Sequence, residues 1–229
     1  MRYAIDRGTG NRIVAIPGYR AICPLCRAEV VAKCGDINAW HWAHSSTEDC
    51  DSWSEGETSW HLDWKEWFQP EEREVVIGNH RADIRTLAGR VIELQHSPIS
   101  AEEIAERERF YGSGMVWVVD ASEFIDNLCF RDKGDHWTFR WKWPRKSWMA
   151  AKRPLYLDPG DECCWRGWLF RVHRVHSNVP CGGWGRWGDR AEFLRFYGAK
   201  IPTYQELMSQ IAANRAAGKG VDHGTRPQH

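Results

Sequence analysis

The chain has 229 residues, and 31 Lys plus Arg balance 31 Asp plus Glu, so the formal net charge is zero. Bulk charge therefore cannot bind nucleic acid, and any such contact must come from a local patch. No apolar run approaches the roughly 18 residues of a membrane span, and the opening MRYAIDRGTGNR carries no apolar segment of the secretory kind. A cytoplasmic location with no membrane partner is the expectation. In that compartment the eight cysteines read as metal ligands before disulfides.

Residues 1–50 read as a small zinc-binding module. Cys23-Pro-Leu-Cys26 is a C-x2-C knuckle, and His41-Trp-Ala-His44 follows it at zinc-finger distance. Two thiolates and two imidazoles suit tetrahedral zinc, and four protein ligands make the role structural. Cys34 and Cys50 sit close enough in sequence to replace one ligand. A segment this poor in aliphatic residues needs such a staple.

Residues 51–125 read as an α/β core. Ser52 or Ser54 can cap a helix running to about Phe68, stopped by Pro70. Trp60, Trp64, Trp67 and Phe68 recur at helical spacing and should face a core. Glu57, His61 and Lys65 recur at four-residue steps and should form one polar stripe. Two strands then turn at Gly78-Asn79, and a hairpin leads from Arg81-Ala82-Asp83-Ile84-Arg85 into Val91-Ile92-Glu93-Leu94-Gln95. Ser100, three residues before Glu103, caps a helix to about Tyr111. Met115–Asp120 is a continuous apolar run, as in a buried strand.

The hairpin decides the chemistry. A loop of Leu87, Ala88 and Gly89 puts glycine in the left-handed position and sets Asp83 directly opposite Glu93. A two-residue loop sets Asp83 opposite Leu94 and destroys the site. Gln95 shares the face of Glu93, being two residues on. Facing carboxylates repel, and a divalent ion with a taste for hard oxygen, Mg²⁺ or Mn²⁺, relieves the repulsion.

This order of elements resembles the PD-(D/E)XK nuclease superfamily, whose signature is a helix Glu, then Asp, then Glu-x-Lys. More closely, CPLC, WHWAH, SEGETSWHLDWK, RADIR and VIELQHSPIS, followed by a helix and MVWVVD, resemble the competence protein CoiA-like family over roughly residues 20–120. The resemblance implies a restriction-endonuclease-like core with a mixed sheet and Mg²⁺- or Mn²⁺-dependent hydrolysis of DNA. It implies Glu57, Asp83 and Glu93 as metal ligands. Gln95 departs from the superfamily lysine, and glutamine can orient but carries no charge. Lys65 or His61 is then the candidate for the missing cation, with His61 favoured in proton transfer and Gln95 in orienting water.

Residues 126–205 read as a Trp-rich, β-containing region, and 206–229 as a flexible tail. Arg140, Lys142, Arg145 and Lys146 interleave with Trp141, Trp143 and Trp148. That pattern suits a single-strand platform or, equally, a β core with its cations outside. Cys163, Cys164, His173, His176 and Cys181 echo a metal set weakly, because His173 and His176 on a strand point to opposite faces. The leading expectation is a DNA nuclease. A non-catalytic DNA-binding protein of the same fold and a zinc-dependent interaction module are the alternatives.

Overall fold

The structure, a computed structural model, describes residues 1–35, 40–44, 50–53, 56–162, 164–176 and 181–201. Ser54, Cys163 and the expected 206–229 tail lie outside them. Two sheets organise the chain. The first is antiparallel and holds β1 (Tyr3–Ile5), β2 (Arg12–Val14), β3 (Arg20–Ile22), β4 (Glu29–Lys33) and β5 (His41–His44), in the order β2-β1-β3-β4-β5. Its core is thin: Ala4, Ala15, Ala21, Cys23, Val30 and Trp42. A core of that size supplies little hydrophobic stabilisation, which is why the cysteines matter below.

The second sheet has nine strands: β6 (Arg73–Ile77), β7 (His80–Arg85), β8 (Val91–Gln95), β9 (Met115–Asp120), β10 (Leu128–Asp132), β11 (Trp137–Trp141), β12 (Leu155–Asp158), β13 (Trp168–His176) and β14 (Gly182–Asp189). Their order is β10-β11-β14-β13-β12-β9-β8-β7-β6. β9 pairs in parallel with β8 and with β12, and the other pairings are antiparallel. The fold is therefore α+β with a mixed sheet. One sheet passes through the boundary expected at residue 125, because β12 from the Trp-rich region lies directly beside β9.

Among the described residues three helices cover this sheet: α1 (Ser59–Glu66), α2 (Ala101–Tyr111) and α3 (Arg190–Phe196). One face buries Ile84, Ile92 and Leu94 against Trp64, Phe68 and Phe193. The other buries Met115, Trp117 and Val119 with Ile104 of α2. The alternation of Ile92 and Leu94 against Val91 and Glu93 is the two-residue period of a strand buried on both sides.

α1 begins later than its sequence suggests. Thr58 caps it, accepting from His61 N, while His61 Nδ1 accepts from Thr58 N. That reciprocal box satisfies the exposed amides of the first turn and starts the helix at Ser59. Glu57 thus precedes the helix. Trp67, expected to face the core, is 42 % exposed, since the helix has ended at Glu66. Trp60 and Trp64 both donate their indole N–H to Asp158 Oδ2, at 2.9 and 2.7 Å. Buried indoles need an acceptor, and this shared one anchors α1 to the end of β12. Ser100 caps α2 through Glu103 N, as its position indicates.

Candidate metal centre and an adjoining carboxylate pocket

Cys23 and Cys26 sit on the turn after β3, His44 ends β5, and Cys50 follows it. Their donor atoms all lie within 4.8 Å of one another, and among the described residues no other group of three or more metal-binding side chains does so. Cys23 Sγ is 3.8 Å from Cys50 Sγ. Two sulfurs at about 2.3 Å from one zinc, at a tetrahedral angle, stand about 3.8 Å apart. Cys26 Sγ is 3.3 Å from His44 Nε2. Three thiols and an imidazole in this arrangement fit a structural zinc ion.

Cys50 takes the place expected for His41. The reason is strand geometry: His41 and His44 are three apart on β5, and an odd separation sends them to opposite faces. Cys34 is outside the group. Burial pushes the Cys50 thiol up to about 12, with Cys23 and Cys26 adding to the rise. A bound cation would reverse this and release the protons. Burial also lowers the His44 pKa, helped by Arg81, which keeps the imidazole in its ligating neutral form.

Residues 20–52 match the family model of the competence protein CoiA, N-terminal domain. The CoiA match spans all four residues of the cluster, from the β3 knuckle to Cys50. No curated protein and no solved structure matches the chain significantly.

The matched segment is joined to the large sheet immediately beyond Cys50. Asp51 Oδ1 holds His80 Nδ1 at 2.9 Å, and Asp51 Oδ2 accepts from Arg81 N at 2.8 Å. Trp53 stacks on the His80 ring at 3.2 Å between centroids. The Trp53 carbonyl accepts from Arg107 of α2, and Arg107 Nη1 binds Glu93 Oε2 at 3.0 Å. Glu74 adds a second tie, accepting from the backbone N–H groups of Arg2 and Tyr3. Glu74 has a left-handed backbone, φ 49°, a strain that surrounding contacts must hold in place.

These ties lead into a pocket of about 30 Å³, lined by Glu57, His61, Lys65, Asp83, Glu93 and Arg107 among others. That is room for one water-sized group. The hairpin forms it. β7 and β8 pair in the register Arg85–Val91 and Ile84–Ile92. Thr86 N donates to Arg90 O, Gly89 N donates to Thr86 O, and Gly89 has φ 77°. The loop is the three residues Leu87, Ala88 and Gly89, so one step further along this register Asp83 faces Glu93. There the backbone ladder gives way to side chains: Leu94 N donates to Asp83 Oδ2 at 3.0 Å, and Asp83 N to Glu93 Oε1 at 3.4 Å.

Lys65 is the centre of the pocket. Its Nζ lies 2.6 Å from Glu57, 3.0 Å from Asp83 and 3.3 Å from Glu74. Burial works against its charge, but Asp83, Glu74 and Glu57 more than compensate and raise its pKa. Burial raises Asp83 too, yet Lys65 and His61 outweigh it and hold this carboxyl below its usual range. Glu93 goes the other way: burial, with Asp83 close by, pushes it up to about 8 despite Arg107. Burial likewise raises Glu57. Asp83 keeps 22 % of its side chain exposed, against 10 % or less for Glu57, Lys65, Glu74, Glu93 and Arg107, so an entering ligand meets Asp83 first.

Of the residues expected here, Glu57, His61, Asp83 and Glu93 line the pocket. The three carboxylates do not form a set with donor atoms within 4.8 Å, because Lys65 and Arg107 stand among them. Gln95 is fully buried and donates to Ser97 O rather than lining the pocket. Glu74, Arg107 and Asp51 escaped the sequence reading. No local spacing marks them: Arg107 reaches Glu93 across 14 residues, Asp51 reaches Arg81 across 30, and Glu74 is brought in by a left-handed backbone on β6.

Proposed function

We propose that the Asp83–Glu93 pocket hydrolyses phosphodiester bonds of DNA, in the manner of a PD-(D/E)XK nuclease. The observation that carries this reading is the facing of Asp83 and Glu93 across the β7–β8 hairpin, with the Lys65 ammonium 3.0 Å from Asp83. Two facing carboxylates offer the hard oxygen donors that suit Mg²⁺ or Mn²⁺, and such an ion, when bound to Asp83 and Glu93, would supply Lewis-acid activation of the phosphate. Lys65 brings from a helix the positive charge that Gln95 cannot bring from the strand. It is placed to stabilise charge on the phosphate oxygens as a water oxygen bonds to phosphorus and the sugar oxygen leaves. Burial pushes Glu93 up to about 8, so it would have to release its proton to hold the ion. The competence-protein match at the N-terminal segment favours DNA as the substrate.

The ion pairs that hold each carboxylate favour a second reading, a DNA-binding protein that retains this arrangement without cleaving. Purified protein incubated with single- and double-stranded DNA, with Mn²⁺ or with EDTA, separates the two. Metal-dependent cleavage that disappears in Asp83→Asn and Glu93→Gln supports the nuclease. Equal cleavage by those variants and the parent rules it out. Binding without cleavage under any ion supports the second reading.

A further inference from the structure

The sheet face formed by β11, β14 and β13 carries cations whose contacts are a backbone carbonyl and a ring: Arg186 Nε donates to Asp135 O at 3.1 Å, and Arg171 stands 5.9 Å from the Tyr156 ring centroid. Arg171 and Arg186 lie directly opposite each other on antiparallel strands. Like charges in that position destabilise a sheet. Among the described residues neither pairs with a carboxylate, and neither does Arg140 on the next strand. Of the nearby acids, Asp135 pairs with His136 at 2.6 Å and Asp189 caps α3, while Glu192 lines the same depression as Arg171 and Arg186. After burial, Arg171 and Arg186 also depress the pKa of His173.

Aromatic rings stand among these cations. His173 stacks on Trp184, with centroids 4.6 Å apart and planes 4° apart, and His136 meets the Trp184 edge at 5.7 Å. Along this face of β14 the residues are Gly182, Trp184, Arg186 and Gly188, so a bare backbone flanks the two long side chains. The result is a trough. Arg186 lines both a depression of about 600 Å³ and one of about 450 Å³. Arg171 and His173 line the second and a third of about 520 Å³, which also holds Lys152 and Arg153. Of the tryptophans that the sequence put forward for such a platform, Trp141 and Trp148 are 4 % and 3 % exposed, in the core, while Trp143 is 68 % exposed just beyond β11, beside Lys142.

We infer that this trough is a binding surface for single-stranded nucleic acid, with Arg140, Arg171 and Arg186 on the phosphates and the His173–Trp184 stack against a base. A duplex hides its base faces, whereas an unpaired strand offers both a regular row of phosphates and bare rings to stack. The surface does not depend on the hydrolytic pocket, which other residues build.

Fluorescence anisotropy of a labelled 12-nucleotide strand in EDTA tests it, because binding is then read without metal-dependent cleavage. The parent should bind the single strand at least ten-fold tighter than a duplex of equal length. Arg171→Gln/Arg186→Gln, at exposed positions, should weaken binding at least ten-fold and reduce the salt slope by about 1.4, on the order of 0.7 per lost phosphate contact. Photocrosslinking of iodouracil-substituted strand to unaltered protein should label β13 or β14. Unchanged binding by the double variant, equal affinity for duplex, or crosslinks confined to other elements each overturns the assignment.

Discussion

Lys65 Nζ lies 3.0 Å from Asp83 Oδ1 and 2.6 Å from Glu57 Oε1, so one buried ammonium joins a carboxylate ahead of α1 to a carboxylate on β7. The arrangement fixes the helix against the strand and concentrates opposed charges in a space of one water molecule. Such a site is stable only while its charges balance.

Removing the cation should therefore be costly. Lys65→Met leaves Glu57, Glu74 and Asp83 facing one another, and breaking a buried ion pair from one side costs about 3–5 kcal/mol. Urea unfolding should show a loss of that size, with Lys65→Arg losing less. A midpoint within experimental error of the parent would contradict the central place given to Lys65.

The titration of Glu93 has a direction. Its pKa rises from an ordinary 4.5 to about 8 on folding, so the folded chain holds a proton there that the unfolded chain has lost. Stability should fall as pH rises from about 4.5 to about 8 and level off beyond. Glu93→Gln removes that contribution. Thermal melts at pH 5 and pH 9 should differ less for the variant than for the parent, and cleavage by the parent should rise with pH through the same range. Parallel melting curves for the two proteins would show that Glu93 is not buried as described.

The metal centre predicts which histidine matters. Elemental analysis should find one zinc per chain in the parent and in His41→Ala, and much less in Cys50→Ser and His44→Ala. Since the first sheet has so small a core, zinc removal should unfold it and, through Asp51 and Trp53, loosen Arg107 and Glu93. Retention of zinc in Cys50→Ser with loss in His41→Ala would restore the C-x2-C, H-x2-H set.

Gly89 sets the register. Nothing lies within 4 Å of a Cβ built there, so Gly89→Ala tests backbone strain alone. A left-handed alanine costs about 1–2 kcal/mol, and 1 kcal/mol corresponds to about 2–4 °C for a chain of this length. Gly89→Asn should lose less. An unchanged melting temperature would mean that the loop takes another shape.

The hairpin was legible because two independent constraints coincide in it: glycine at the left-handed position and an apolar alternation that must face inward. The cap of α2 was legible for a similar reason, Ser100 and Glu103 N being local partners. The ligand exchange of His41 for Cys50 was hidden by a sequence spacing that looks like a metal pair but falls on a strand, where parity governs. The start of α1 was missed because the sequence points to Ser52 and Ser54 as caps, whereas His61 closes a box on Thr58 and makes that residue the cap. Glu74 and Arg107 reach the pocket through tertiary packing. The neighbours of β12 were also out of reach, since nothing local says which strand a short apolar segment will join.

β12 has four residues, yet it is the seam of the molecule, laced to β9 on one side and to β13 on the other. A chain cut after residue 125 would strip the flank of Met115–Asp120, an entirely buried apolar strand, and present it as a template for another molecule's backbone. Each half should therefore aggregate when expressed alone, and the two should fold only as one sheet.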